Sequence, residues 1–170
     1  MSEPQSSTGD CMDVSAPVAA HEKLRPFVGK FKAMVKLWFG PGDPMISTGS
    51  MTNTMDLGGR FLHQFYEGDA SDGPFPEFAG RGYWGYNTAL KKYQAFWIDT
   101  ASTMMHFETG DVDSDGHILT MFRELTHPQT GEPMRKRSVI SLHDDDHHTM
   151  EMFDVGTGSK EMEIQYERTR

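Results

Sequence analysis

The residues best suited to chemistry gather around one candidate turn. Asp99 and His106 flank the segment Thr100–Thr103, and a tight hairpin there sets Asp99 opposite Met104 and Trp97 opposite His106. Cross-strand partners share a face of a sheet. Tyr86 and Tyr93 pair in the same way across residues 87–92, which puts Trp84, Tyr86, Tyr93, Trp97, Asp99 and His106 on one side. Such a wall offers apolar area with polar tips, and a carboxylate or an imidazole on it can orient a bound molecule. In a dry site the same two groups can exchange a proton as acid and base, since imidazole titrates near neutral pH. The plainer reading is a hydrogen-bonded Asp and His at a wet strand rim. The opposite parity carries Tyr83, Phe96, Ile98, Met105 and Phe107. Both faces are thus apolar, and the one outside is covered by the helix or by a second copy, because contiguous exposed aromatics mark interfaces.

Arg123 keeps phase with Leu119, Met121 and Leu125. A buried guanidinium needs a partner. If that face is internal, its fork suits a carboxylate or phosphate head group, with an intramolecular Glu or Asp pair as the alternative. Tyr166 shares parity with Ile164 on the last apolar run. His143, Asp144, Asp145, Asp146, His147 and His148 crowd six residues, but a turn sprays its side chains outward and strand neighbours point to opposite faces. A solvated acidic hairpin is expected there rather than a metal centre, which wants three or four converging ligands. His63 alternates with Phe61 and Phe65, as a cavity-lining or core histidine would. No nucleophile elbow, P-loop, dinucleotide glycine pattern or HExxH is present, and no cofactor is expected. Gly80 and Gly82 lie inside a strand run, where glycine marks a bend or a close approach. The methionines fall mostly in strand phase and read as core filling, or as a forgiving pocket wall.

These residues must be positioned by strands. Phe31, Ala33, Val35, Leu37 and Phe39 alternate with Lys30, Lys32, Met34, Lys36 and Trp38, the period-2 rhythm of a half-buried strand. Turn chemistry then recurs at Pro41–Pro44, Gly58–Gly59, Asp69–Pro76, Asn87–Lys92, Asp113–Gly116, His127–Gly131, Asp144–Asp146 and Gly156–Gly158. About ten strands result, preceded by one short helix near Val18–Leu24, whose Val18 and Leu24 share a face with Phe27 and which Pro26 limits. The expected fold is all-β: a closed up-and-down antiparallel barrel, since closure removes the free edges of so long a meander. Residues 1–16 read as a disordered polar tail holding Cys11, and 17–170 as one barrel domain.

The succession Pro26–Phe31, Val35–Trp38, Gly40–Pro44, Leu57–Leu62, Gly80–Asn87, Phe96–Asp99 and Thr126–Gly131 resembles the bacterial domain-of-unknown-function family 1579, over about residues 20–169. The short helix leading into Phe27-Val28-Gly29-Lys30-Phe31 is similar to the entry of calycin barrels, the lipocalin and fatty-acid-binding group, with Phe31 where those carry Trp. The resemblance implies a calycin-like barrel and no particular reaction. The last strand resembles the end of fatty-acid-binding barrels, which hold the ligand head group with Arg and Tyr. Here the order is Tyr166-Glu167-Arg168.

Sixteen Lys and Arg against 25 Asp and Glu give a net charge of −9, which excludes a nucleic-acid binder. No apolar run is long enough for a membrane span. One cysteine rules out a disulfide framework and suits the cytoplasm. The expected function is binding of a small apolar or amphipathic molecule in a partly aromatic cavity walled by Trp84, Tyr86, Tyr93, Trp97, Asp99, His106, Arg123 and Tyr166. The alternatives are a cofactor-independent isomerase, cyclase, lyase or hydrolase using Asp99 and His106, and a filled barrel whose outer face docks a partner.

Overall fold

The structure is a computed structural model that describes residues 14–70, 73–127 and 129–170. Cys11 lies outside the described residues, as does most of the expected tail. Ten strands follow one another: β1 (Gly29–Leu37), β2 (Met45–Asp56), β3 (Phe61–Gly68), β4 (Ala79–Asn87), β5 (Lys92–Asp99), β6 (His106–Val112), β7 (Ile118–Thr126), β8 (Pro133–Leu142), β9 (His147–Asp154) and β10 (Lys160–Arg168). Each pairs antiparallel with the next, and β1 pairs with β10, so the sheet closes into a barrel with no free edge. The expected closed up-and-down barrel with a short N-terminal helix is the fold observed.

The helix is smaller than the sequence suggests. α1 spans only Ala19–Glu22, and a 3-10 turn covers Arg25–Phe27. Val18 is its extended cap and is exposed, so His21, not Val18, joins Leu24 and Phe27 inside. Pro26 fits the first turn of the 3-10 segment, where no amide donor is required.

Alternation decides which residues meet. In β1, Phe31, Ala33 and Val35 are buried while Lys30, Lys32 and Met34 face outward or half outward. The register carries that inner parity around the ring: Phe31 opposes Met51, Met51 opposes Tyr66, Gly82 opposes Trp97, and Trp97 opposes His106. Turns at one end are short and built on side-chain acceptors. The Asp113 carboxylate accepts from the His117 and Ile118 amides, and Asn87 Oδ1 accepts from those of Ala89 and Leu90. α1 and the 3-10 turn stop this same end. Leu24 and Phe27 pack with Leu62, Tyr93, Leu119, Met121 and Ile140 into a dry core. Arg168 locks the plug, donating to the Pro26, Val28 and Asp145 carbonyls while lying over the Phe31 ring. Gly29, at φ +138°, makes the turn from plug to β1, a conformation that a side chain disfavours.

The outer wall is two-sided. Across β3–β6 the directly opposed residues His63, Tyr83, Phe96 and Phe107 form a ring ladder, with centroid spacings of 4.7, 5.7 and 6.4 Å. His63 therefore lies outside, not in a cavity or core. Its alternation with Phe61 and Phe65 is real, but that whole parity faces away from the interior. On β1, β9 and β10 the outer face instead carries ion pairs, Lys36–Glu163 at 2.9 Å and Lys160 with both Glu151 and Glu163. Among the described residues, no helix is long and apolar enough to cross a membrane.

Candidate functional site

The end opposite α1 is hollow. A cavity of about 610 Å³ occupies the barrel from its middle to the open rim, within the ~300–1,000 Å³ typical of small-molecule sites. Trp84, Ile140 and His148 lie deep in it, and Phe39, Ile46, Phe75 and Phe78 ring the mouth. Phe39 and Ile46 are largely exposed.

Trp97 forms one wall. Its indole N–H donates to Asp99 Oδ2 at 2.9 Å, and Asp99 Oδ1 accepts the Ala101 amide at 3.0 Å. A Cβ built on Gly80 would overlap the indole, and one on Gly82 would sit 2.8 Å from Cε3. The two glycines on β4 are the floor on which the ring lies.

His106 stands opposite Trp97. Burial, and then the Arg123 charge, hold its pKa below the ordinary imidazole value, with Asp99 pulling the other way. No hydrogen bond joins His106 to Asp99 among the described residues. The Asp99 carboxylate instead accepts from Trp97 and Ala101, and both groups line one chamber.

Arg123 is the cation of the chamber. Its Nη1 stands 3.7 Å from Glu108 Oε1, and Nη2 donates to the Met152 sulfur at 2.8 Å. Nε is buried with no hydrogen-bond partner among the described residues. Glu108 also accepts from Ser138 Oγ at 2.9 Å. One edge of the guanidinium thus faces a loosely held carboxylate, and the other has only a thioether, a weak acceptor. Leaving a buried donor unsatisfied costs about 1–3 kcal/mol.

Deeper in, His148 is stacked on Tyr166 with centroids 4.4 Å apart and is enclosed by Phe27 and Phe31. Burial first, then the nearby Arg168 and His143, pushes its pKa down to about 3, so it is neutral at physiological pH. Burial likewise raises the Tyr166 phenol above its ordinary value.

Of the residues picked from the sequence, Trp84, Trp97, Asp99, His106, Arg123 and Tyr166 all line this cavity. Tyr86 and Tyr93 do not. They have the inner parity, but the plug has claimed them: the Tyr93 hydroxyl donates to the Ala20 carbonyl at 2.9 Å, and Tyr86 packs on His21. The His143–His148 segment also divides. Asp144 and His147 form an exposed pair at 2.8 Å, whereas His148 turns inward rather than joining the solvated hairpin. Among the described residues no group of three or more His, Cys, Asp or Glu converges as a metal site would require. Sequence reasoning missed Glu108, two residues from His106 and so on the same face, and His148, which keeps phase with Met150 and Met152. It also missed Gln64 and Asn53, whose parity follows from Leu62 and Met51.

Fold and chamber together define a closed ten-stranded antiparallel barrel, plugged at one end and hollow at the other. The chain belongs to the family described as "Protein of unknown function (DUF1579)", whose sequence profile matches residues 16–168. Among curated proteins, none matches it. Among solved structures, a redesigned beta barrel aligns with 92% of this chain and 100% of its own, at 15% identity and a TM-score of 0.46.

Proposed function

We propose that this barrel binds a small amphipathic molecule, with its apolar body among Trp84, Trp97 and the methionines and an acidic head group on Arg123. The single observation behind this reading is the Arg123 guanidinium: nearly enclosed, facing a cavity, with Nε unpartnered and Nη2 resting on a sulfur. An anion at that edge supplies the two oxygen acceptors that the protein itself withholds. Met152 is the cover that must swing aside, and a thioether side chain with three rotatable bonds does so easily. A chain with one cysteine suits a reducing compartment, and we place the protein in the cytoplasm.

Native mass spectrometry of freshly purified protein beside the denatured form tests the occupancy, followed by calorimetric titration with decanoate. Arg123→Lys keeps the charge against Glu108 but loses the planar fork, and is expected to weaken decanoate binding about ten-fold or more. Decanoate binding that is equal in the wild type and in Arg123→Lys overturns the head-group assignment.

On separate grounds we infer that two copies meet through the outer ring ladder. Phe107 on the ladder is 64% exposed and Met105, in the turn before β6, is 61% exposed, and contiguous exposed apolar side chains are where copies can approach. Sedimentation velocity is expected to give a dimer that Phe107→Lys converts to monomer. A monomeric wild type removes the inference.

A further inference from the structure

The wall opposite His106 has a shape that a flexible chain would not need. Trp97 is tied at its polar end by the bond from Nε1 to Asp99, and its six-membered ring is pressed over β4 at Gly80 and Gly82. Neither glycine has a positive φ, so the backbone there would accept other residues. What it cannot accept is their volume: a Cβ at either position would meet the indole. The register puts Gly82 opposite Trp97 and Gly80 opposite Asp99, so the ring and the carboxylate that anchors it share the same two glycines. One face of the indole is spent on backbone, which leaves the other on the side of the cavity that Trp97 lines, beside the cluster of Phe31, Met51 and Tyr66. His106 is its direct neighbour on β6 and feels the Arg123 charge. A rigid π-surface and an underused guanidinium therefore bound one chamber.

We propose that the head-group ligand is a planar aromatic or conjugated acid, its ring laid on Trp97 and its carboxylate on Arg123. This deepens the reading above and rests on it. Stacking on a preset plane adds to simple area burial and loses no side-chain freedom, because Trp97 is already held. A saturated chain gains only the area, which the methionines Met51, Met150, Met152 and Met162 supply equally well. The 610 Å³ volume admits a fused two-ring acid.

Calorimetric titrations of naphthoate and undecanoate, acids of equal carbon number, separate the cases in wild type, Trp97→Leu and Gly82→Ala. Trp97→Leu removes the plane, and Gly82→Ala lifts it off β4 without deleting it, so the second variant serves if the first does not fold. Naphthoate affinity is expected to fall about three- to ten-fold in each variant, while undecanoate changes less than two-fold. Equal losses for both acids, or no loss for naphthoate, overturn the planar-acid proposal. If undecanoate binds through Arg123 while naphthoate is indifferent to Trp97, this proposal falls and the amphipathic-acid reading stands. If neither acid binds the wild type, both fall.

Discussion

The two ends of the barrel interior share one strand parity and behave as different materials. At the plugged end Leu24 is 1% exposed, and the donors that reach it find backbone acceptors: Tyr93 on Ala20, Asn53 Nδ2 on Phe27 at 2.9 Å, and Arg168 on Pro26 and Val28, with Asn53 Oδ1 the one buried side-chain acceptor without a partner among the described residues. At the hollow end Lys136 is paired with Asp154 and Glu161, but the Arg123 guanidinium that lines the chamber has only a sulfur and a distant carboxylate for company. The strands do not make this difference. Nine residues before β1 do, by filling one end and leaving the other. A barrel wall specifies which side chains look inward, and the plug decides which of those become core.

The largest effect expected on that contrast comes from the plug. Phe27→Ala removes a ring packed on Trp84 and His148 and is expected to cost about 3–5 kcal/mol, read as a shift in urea midpoint. A loss below 1 kcal/mol would mean the plugged end is no more a core than the chamber.

His148 gives the next effect, through pH. Its folded pKa, about 3, lies below the unfolded value near 6.5, so above pH 6.5 both states are neutral and nothing is lost. As pH falls from 6.5 toward 3 the unfolded chain takes up the proton and the native state does not. Stability therefore drops with acidification, by a few kcal/mol in all. Asp154 and Glu163, held down to about 2 mainly by hydrogen bonds from Lys136 and Lys160, act with the same sign but below pH 4.5. His148→Phe is expected to flatten the fall between pH 6.5 and 4.5 in urea titrations. An unchanged slope would remove His148 as its source.

Met152→Ala at the hollow end is expected to cost about 1 kcal/mol or less, well under the ~2–5 typical of a packed core methionine, because the site already borders empty volume. The smallest effect is on His106, whose NMR titration midpoint should fall below 6.5. Arg123→Lys, which keeps the positive charge, should leave it there, whereas Asp99→Asn should lower it further.

Much of this was legible in the sequence. Trp97 opposite His106 followed from one turn length, and that single pairing placed Trp84, Asp99 and the whole inner parity. Closure followed from strand count and the need to hide edges. Depth along the axis did not follow. Tyr86 and Tyr93 carry the same rhythm as Trp97, and only α1 packing across β4 and β5 makes them core. His63 misled because the outer wall imitates a core: aromatic residues alternate on both faces of β3–β6, and periodicity alone does not say which is in. His148 misled in the opposite sense, a polar residue beside an acidic turn that turns inward onto Tyr166. Gly80 and Gly82 announced a close approach without naming the indole that makes it.

The β1–β10 pairing has a consequence for the order of assembly. These two strands are neighbours in space and the most distant along the chain, so their contact carries the heaviest loop-closure entropy. Met162, Ile164 and Tyr166 all belong to β10 and all line the chamber. Until that last strand zips against the first, the protein has a curved sheet and no inside. A molecule held in the finished chamber would therefore be a latch on the seam, its binding energy felt by the whole ring at once.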